Sequence, residues 1–562
     1  MKKRFLSLLA LFLVLSMFLV ACNGNNGGNS NSNSNGNENA NGNGNSNDQG
    51  TSEEPRAQVL NLLEGSEIPS IDSTLATDTV SFDVMNNVFE GLYRLGENDE
   101  PVLGMAAEEP QVSEDGKTYT FKIRDAKWSN GDPVTAKDFE YAWKKALNPE
   151  TAAEYAYIMY DIKNAAKVNG GELPLDELGV KALDDKTLEV QLETTVPYFK
   201  GLLTFATFYP QNEAYINEVG DQYGLEANTA IYNGPFVLSD WKHEQSFQFK
   251  KNADYWDAAT VKLEEVNFNI VKETATRVNL YETDKADVTG LTAEFVDQYK
   301  NDANFKTKLN TGVYFLRLNQ RNEVLANENA RKAIDMGWDK EGMVQVLLND
   351  GSVPAYFLVP GDFVASPDGQ DYREQNGDMG GFDPKEAAKL WETALKELGK
   401  DKVEMELLNY DSDNAKKIGE YIKEQLETNL KGLTVSISQQ PFKQKLDLES
   451  KGDYDFSYAG WSPDYPDPMT FLDMFVTDGA HNQMAYSNKE FDKLIEDSKS
   501  TLLADQAARW EAMLEAEKIL LEDQAISPMF QDGSAYLEKE YVHGILRHNF
   551  AANNSYKWAY IE

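Results

Sequence analysis

The sequence predicts an α/β protein with more than one domain, and three observations carry that expectation. Residues 403–461 alternate between strand-like and helix-like apolar periods. A helix with clear start and stop signals precedes them. The chain of 562 residues also exceeds what one hydrophobic core usually supports, so two or three domains are expected. With 41% hydrophobic residues and 11% aromatics, sizeable cores are affordable, while a mean hydropathy of -0.55 excludes a polytopic membrane protein.

Only the extreme N-terminus has the character to enter a bilayer. Lys2, Lys3 and Arg4 open the chain, Phe5 to Val20 form an almost unbroken apolar run, and Ala21-Cys22 follow. This is the build of an export signal. A small residue before the only cysteine resembles the lipobox of bacterial lipoproteins. The resemblance implies a signal peptide over 1–21 and a diacylglyceryl group on Cys22. An uncleaved single-pass anchor is the alternative, because the run is near the lower length limit for spanning. A lone cysteine also rules out any intramolecular disulfide. Asn23 to Gln49 is nearly all Asn, Gly and Ser, so residues 22–55 read as a disordered tether. The Asn-rich stretch of about 27 residues would reach roughly 30 Å.

Ordered sequence is expected from near Arg56, with Gln58 to Leu63 as a strand and a helix within Thr77 to Leu92. Asp115-Gly116 reads as a turn, and Tyr119, Phe121 and Ile123 alternate as on a half-buried strand. Asn130-Gly131 and Pro133 punctuate the chain before Thr135, which with Asp138 forms a capping box; Phe139, Trp143 and Ala146 then make a helical stripe. Each of these residues has a sufficient structural reason, and none is assigned to ligand binding.

In the C-terminal half Asp383 reads as a cap, Pro384 as the first helical residue and Gly399 as the stop, around Leu390, Trp391, Leu395 and Leu398. Val403 to Tyr410 then reads as a strand, Asn414 to Leu430 as a helix, Leu433 to Gln439 and Tyr454 to Trp461 as strands. This β-α-β-α-β alternation predicts a mixed sheet with covering helices and right-handed crossovers. Further helices are expected at Phe491 to Leu502 and Gln506 to Leu521.

The charge excludes one class of partner. With 93 acidic against 53 basic residues the formal charge is -40, which repels phosphate backbones, so nucleic acid is not expected. Catalytic signatures are missing: there is no nucleophile elbow, phosphate loop or zinc-protease motif, and Cys22 is the only thiol. His243, His481, His543 and His548 show no metal-ligand spacing and read as solvated or packed. Asp411-Ser-Asp413 starts like a calcium loop but lacks its glycine and is discarded. No metal, no cofactor and no catalytic residue is expected.

One long stretch, DGKTYTFKIRDAKWSNGDPVTAKDFEYAW from Asp115 to Trp143, is joined in order by several others. They are FEGLYRL from Phe89, NPETAAEYAYIMY from Asn148, LGVKALDDKTLEVQLETTVPYF from Leu178, YNGPFVLSDW from Tyr232 and AGWSPDYPDP from Ala459. Together they resemble the oligopeptide-binding receptors of ABC importers, the OppA type in the family of peptide- and nickel-binding solute receptors. The resemblance covers the body from about Val59 to the end.

What it implies is a two-lobed, periplasmic-binding-protein-like fold of type II with an extra third domain. Lobe one would comprise 56–89, 213–312 and 529–562, the extra domain 90–212, and lobe two 313–528. A peptide would be enclosed between closing lobes and delivered to the permease subunits of an ABC importer, with the receptor acting as a monomer tethered through Cys22 to the outer face of the cell membrane.

A receptor for varied peptides must draw affinity from main chain and terminal charges, and strand addition meets that need. By resemblance, Asp464 is the anchor for the peptide ammonium, after Gly460-Trp461-Ser462-Pro463. A loop aspartate in a Pro-rich turn is the structural alternative. Tyr155 would lie near the same end, Thr77, Asp78 and Thr79 would pair with the peptide main chain, and Gly460, Trp461 and Ser462 would supply the facing strand. Some members carry an arginine two residues before this glycine and a cysteine after this tryptophan; here Tyr458 and Ser462 stand there. A fixed site for the peptide C-terminus is therefore not carried over. The runner-up functions are a relative binding a nickel chelate, haem or a signalling peptide, a tethered hydrolase, or an adhesin.

Overall fold

The computed structural model describes residues 56–562, so the export signal, Cys22 and the tether read from the sequence lie outside it. Among the described residues no helix is long and apolar enough to cross a membrane. The fold is that of a two-lobed type II binding protein, carried by three larger sheets.

In the first sheet Val59–Glu64 runs parallel to Glu265–Ile270, and Ser246–Lys251 and Phe236–Lys242 continue it antiparallel. Period-2 alternation buries Leu60, Leu62, Val266, Phe268, Phe247 and Phe249, and the rings of Phe247 and Phe268 stack at 4.3 Å. The expected helix within Thr77 to Leu92 is Thr79–Val88.

The second sheet, of Gln111–Val112, Thr118–Lys122, Thr187–Gln191 and Val180–Asp184, is antiparallel throughout. Helix Ala136–Leu147 covers it. Its start follows the sequence signal, since the Asp138 carboxylate accepts the Thr135 N–H at 2.7 Å, and its stripe of Phe139, Trp143 and Ala146 is buried. This core is continuous with that of the first sheet. Burying them together is why the extra segment is not an independent appendage.

The third sheet contains the predicted alternation. Val403–Tyr410 lies parallel to both Leu433–Gln440 and Phe456–Trp461. Helix Pro384–Leu398 opens where Asp383 accepts the N–H groups of Lys385 and Glu386 and closes on Gly399 at φ 66°. Asp413–Asn429 is the next helix, capped by Ser412, and the helix the alternation required before Phe456–Trp461 is Phe442–Lys451. The later helices are Lys489–Ser498 and Gln506–Glu522.

Two long strands join the lobes. Phe305–Leu318 and Ile526–Glu538 pair with each other along most of their length. At one end Ile526–Glu538 also pairs with Val288–Leu291, and at the other Phe305–Leu318 pairs with Phe456–Trp461. Their mutual register slips between Leu309 and Val313, where the Asn310 amide donates to Asp532 at 2.8 Å and to Ser534 at 2.7 Å. The expected limits of lobe two, 313 and 528, fall on these strands. Beside the slip, a Cβ on Gly533 would meet the Ser352 nitrogen at 2.1 Å and the Gly351 carbonyl carbon at 2.2 Å. Both are backbone atoms and yield only with the chain. Gly533→Ala is therefore expected to lower stability by about 1–3 kcal/mol or more, checked by chemical denaturation against the parent chain.

Candidate ligand-binding site

Between the lobes lies a cavity of about 830 Å³, walled by Thr77 to Val80 on one side, by Ala459 to Asp464 on the other, and floored by Asn310 to Gly312 and Asp532 of the joining strands. Its chemistry is concentrated in the loop after Trp461. Pro463, Pro466 and Pro468 keep that loop out of regular structure, and three contacts then fix its course. Arg509 grips Asp467 with two parallel bonds of 2.7 and 2.8 Å, Ala551 donates its N–H to the Pro463 carbonyl at 3.0 Å, and Asp464 donates its own N–H to the Thr470 hydroxyl at 2.9 Å.

So held, Asp464 is only 3% exposed and lines the cavity. Its carboxylate accepts the Tyr155 hydroxyl at 3.3 Å on Oδ1 and the Thr470 hydroxyl at 3.5 Å on Oδ2. No cation among the described residues pairs with it. Burial pushes its carboxyl well above the usual range, and nearby Asp473 adds to the effect. Asp473 does have a cation, Lys499 at 3.0 Å. Of these two buried acids, Asp464 is the one without a cation partner among the described residues.

An aromatic box surrounds this carboxylate. Tyr155 stacks on Trp461 at 6.1 Å, and His481 meets Tyr155 at 4.8 Å and Trp461 at 4.9 Å, each nearly edge-on. Phe82 and Phe205 back the Tyr155 ring at 5.5 and 5.1 Å. Tyr155 is thus core on one side and site on the other. His481 is packed, as a scattered histidine is expected to be, but it is packed into the cavity wall. Burial, with Arg317 nearby, pushes its pKa down to about 3. Sequence reasoning passed over His481, and likewise Thr470, Lys499 and Arg509. Thr470, Lys499 and Arg509 sit 6, 26 and 42 residues from the groups they serve, with no spacing pattern to mark them.

The neighbouring strand offers main chain. Phe456–Trp461 is paired along one whole edge, but on the other it meets Val403–Tyr410 only at Phe456 and Ser457. The edge of Ala459, Gly460 and Trp461 is therefore open, and it faces the cavity. Gly460 has a reason of its own, because a Cβ there would lie 2.6 Å from the Tyr314 ring. Ser462 is half-buried and continues the edge along the cavity wall. Across the cavity stand Thr77, Asp78 and Thr79. The Asp78 side chain is already used, accepting the Ser81 N–H at 2.9 Å and its hydroxyl at 2.7 Å as cap of helix Thr79–Val88. Tyr458 is buried in edge contacts with Tyr314 at 5.5 Å and Tyr410 at 5.2 Å. That position therefore offers a neutral ring.

Known proteins resemble the chain in sequence and fold. Residues 100–483 match the family described as bacterial extracellular solute-binding proteins, family 5 middle. The dipeptide-binding protein DppE of Bacillus subtilis (strain 168) is 36% identical over 493 residues, covering 87% of this chain and 90% of its own. The crystal structure of the substrate-binding domain of an oligopeptide ABC transporter from Bacillus anthracis str. Ames superposes with a TM-score of 0.89 at 51% identity, over 91% of this chain and 100% of that one. Listeria monocytogenes OppA bound to peptide gives 0.87 at 44% identity, over 90% and 99%. A fold and a sequence match that agree over this much of the chain place it in one group: the chain belongs to the family 5 bacterial extracellular solute-binding proteins, the family of the OppA-type receptors.

Proposed function

We propose that the chain is an extracytoplasmic receptor that encloses oligopeptides between its lobes and delivers them to an ABC importer, forming and breaking no covalent bond. The observation that carries this reading is the buried, unpaired carboxylate of Asp464 at the end of a cavity bordered by an open sheet edge. A free peptide supplies what both lack: one cation at its leading end and a ladder of N–H and C=O groups behind it. In this reading Ala459 to Ser462 on one side and Thr77 to Thr79 on the other pair with the peptide main chain. Tyr155 orients the anchor, and the two joining strands act as the hinge. Neighbouring relatives named for peptide binding support the same cargo. A nickel chelate or haem needs no ammonium anchor and would leave Asp464 without a partner.

The same reading makes the receptor a monomer held to the outer face of the membrane through lipid on Cys22, with 22–55 as tether. Mass spectrometry of the mature N-terminus is expected to find Cys22 first and acylated; an intact residue 1–21 segment would remove the anchor from the proposal.

Asp464→Ala would bury the ligand ammonium without a partner, costing about 3–5 kcal/mol, or about 10²- to 10³-fold in affinity. Acetylating the peptide terminus should do comparable damage. Calorimetric titration decides, and equal binding of free and acetylated peptides would exclude Asp464 as the anchor.

The raised carboxyl of Asp464 also fixes a pH dependence. Below its raised pKa the empty receptor holds a proton there, and a bound ammonium expels it. Affinity should therefore rise with pH from the ordinary carboxylate range up to that raised value, with proton release on binding. For stability the sign is opposite. A carboxyl raised on folding favours the ligand-free fold more at low pH and progressively less as pH climbs through the same window. Titrations in buffers of different ionisation enthalpy should show the released proton, and Asp464→Asn should abolish it.

A further inference from the structure

The floor of the cavity carries a carboxylate of its own. Along Ile526–Glu538 the alternate residues Asp532, Ser534 and Tyr536 line the chamber, as one face of a strand should, and on Phe305–Leu318 so do Lys308, Asn310 and Gly312. A Cβ on Gly312 would lie 3.2 Å from the Ser462 hydroxyl and 3.8 Å from the Asp532 Cβ. Asp532 therefore stands beside the open-edged wall, next to a residue only two positions before Asp464.

Only half of that carboxylate is used. Its Oδ2 accepts the Asn310 amide at 2.8 Å, whereas Oδ1 has no hydrogen-bond partner among the described residues and yet keeps open surface. Lys308 shares the floor, but its ammonium is turned away, donating to the carbonyl oxygens of Arg547 and His548 at 3.3 and 3.2 Å. Burial pushes the Asp532 carboxyl up to about 7, and Asp350 adds to the effect, while Asn310 and Lys308 pull the other way. A carboxylate so placed gains most from a cation that comes to it from the cavity.

We propose that Asp532 is a specificity-determining residue that pairs, through Oδ1, with a lysine or arginine side chain carried near the leading end of the bound peptide. This rests on the peptide-receptor reading and adds a side-chain preference to it. In an extended peptide held between the two walls every second side chain points to the floor, and a long cationic stem can reach the open oxygen there. One rival account makes Asp532 a structural partner of Asn310 at the register slip, indifferent to the guest. The other is the general pull of a chain with a formal charge of -40 on any cation.

The test titrates the full chain with tetraalanine and with derivatives in which lysine, or its uncharged analogue norleucine, replaces one of the first three alanines. The proteins are the parent, Asp532→Asn, which keeps an oxygen for Asn310, and Asp447→Asn, which removes an equal charge from an exposed residue of the same cavity. In the parent, lysine should bind about 10- to 100-fold more tightly than norleucine at one position. Asp532→Asn should bring the two to within about twofold, and Asp447→Asn should preserve most of the preference. If lysine and norleucine bind the parent alike at all three positions, the proposal falls whether or not the variants fold. It falls equally if Asp532→Asn keeps the preference, or if Asp447→Asn lowers it as much. If tetraalanine and its N-acetyl form bind the parent equally, the ammonium-anchor reading is what falls.

Discussion

A carboxylate sealed from water with no cation beside it is an expensive thing to build, and much of the surrounding architecture serves to keep Asp464 in that condition. The loop that carries it cannot relax into solvent, because Arg509 clamps Asp467 three residues further on and Ala551 holds the Pro463 carbonyl. The neighbouring acid, Asp473, is given Lys499, so that cation is already engaged. The hydroxyls of Tyr155 and Thr470 offset part of the desolvation, and burial still holds the carboxyl well above its usual range. In the proposed reading, what remains unsatisfied is available to a positive guest.

The same economy runs through the rest of the cleft. An open strand edge at Ala459 to Trp461 leaves main-chain groups free for a partner chain, and its position inside a cavity protects the protein from the aggregation that an exposed edge invites. Anchoring on groups common to every peptide leaves side-chain recognition loose. The neutral Tyr458 ring, in place of a charged residue, adds no fixed site for a carboxylate there.

Enclosure needs two bodies that move and a link that survives the movement. The joining strands pair on either side of two neighbouring register slips, between Leu309 and Val313 and between Tyr314 and Phe315, and in the proposed reading these slips are where the link would bend. One buried core runs through the first two sheets and on into Val313, Phe315, Trp461 and Phe471. Tyr155 and Tyr198 then carry that core across to Trp461 and Tyr465.

Local rules were enough for most elements. The alternation over 403–461, the Asp383-Pro384 start with its Gly399 stop and the stripe of Phe139, Trp143 and Ala146 were legible because each depends on neighbours within a few residues. The site expectations at Asp464, Tyr155 and Gly460 rested only on likeness to relatives, since nothing in a Pro-rich turn distinguishes an anchor from an ordinary loop aspartate. The helix Phe442–Lys451 was required by the alternation, but its limits were not readable from a polar stretch with little amphipathic contrast. By itself the amino-acid sequence determined the α/β class, the segmental order and the absence of disulfides, all of them properties of local pattern and composition. Among the described residues, tertiary structure alone decided that Asp464 has no cation while Asp473 does, that His481 lines the cavity, and that one strand edge stays open. Each of those depends on which distant segments meet, and burial and pairing are properties of the meeting, not of either segment.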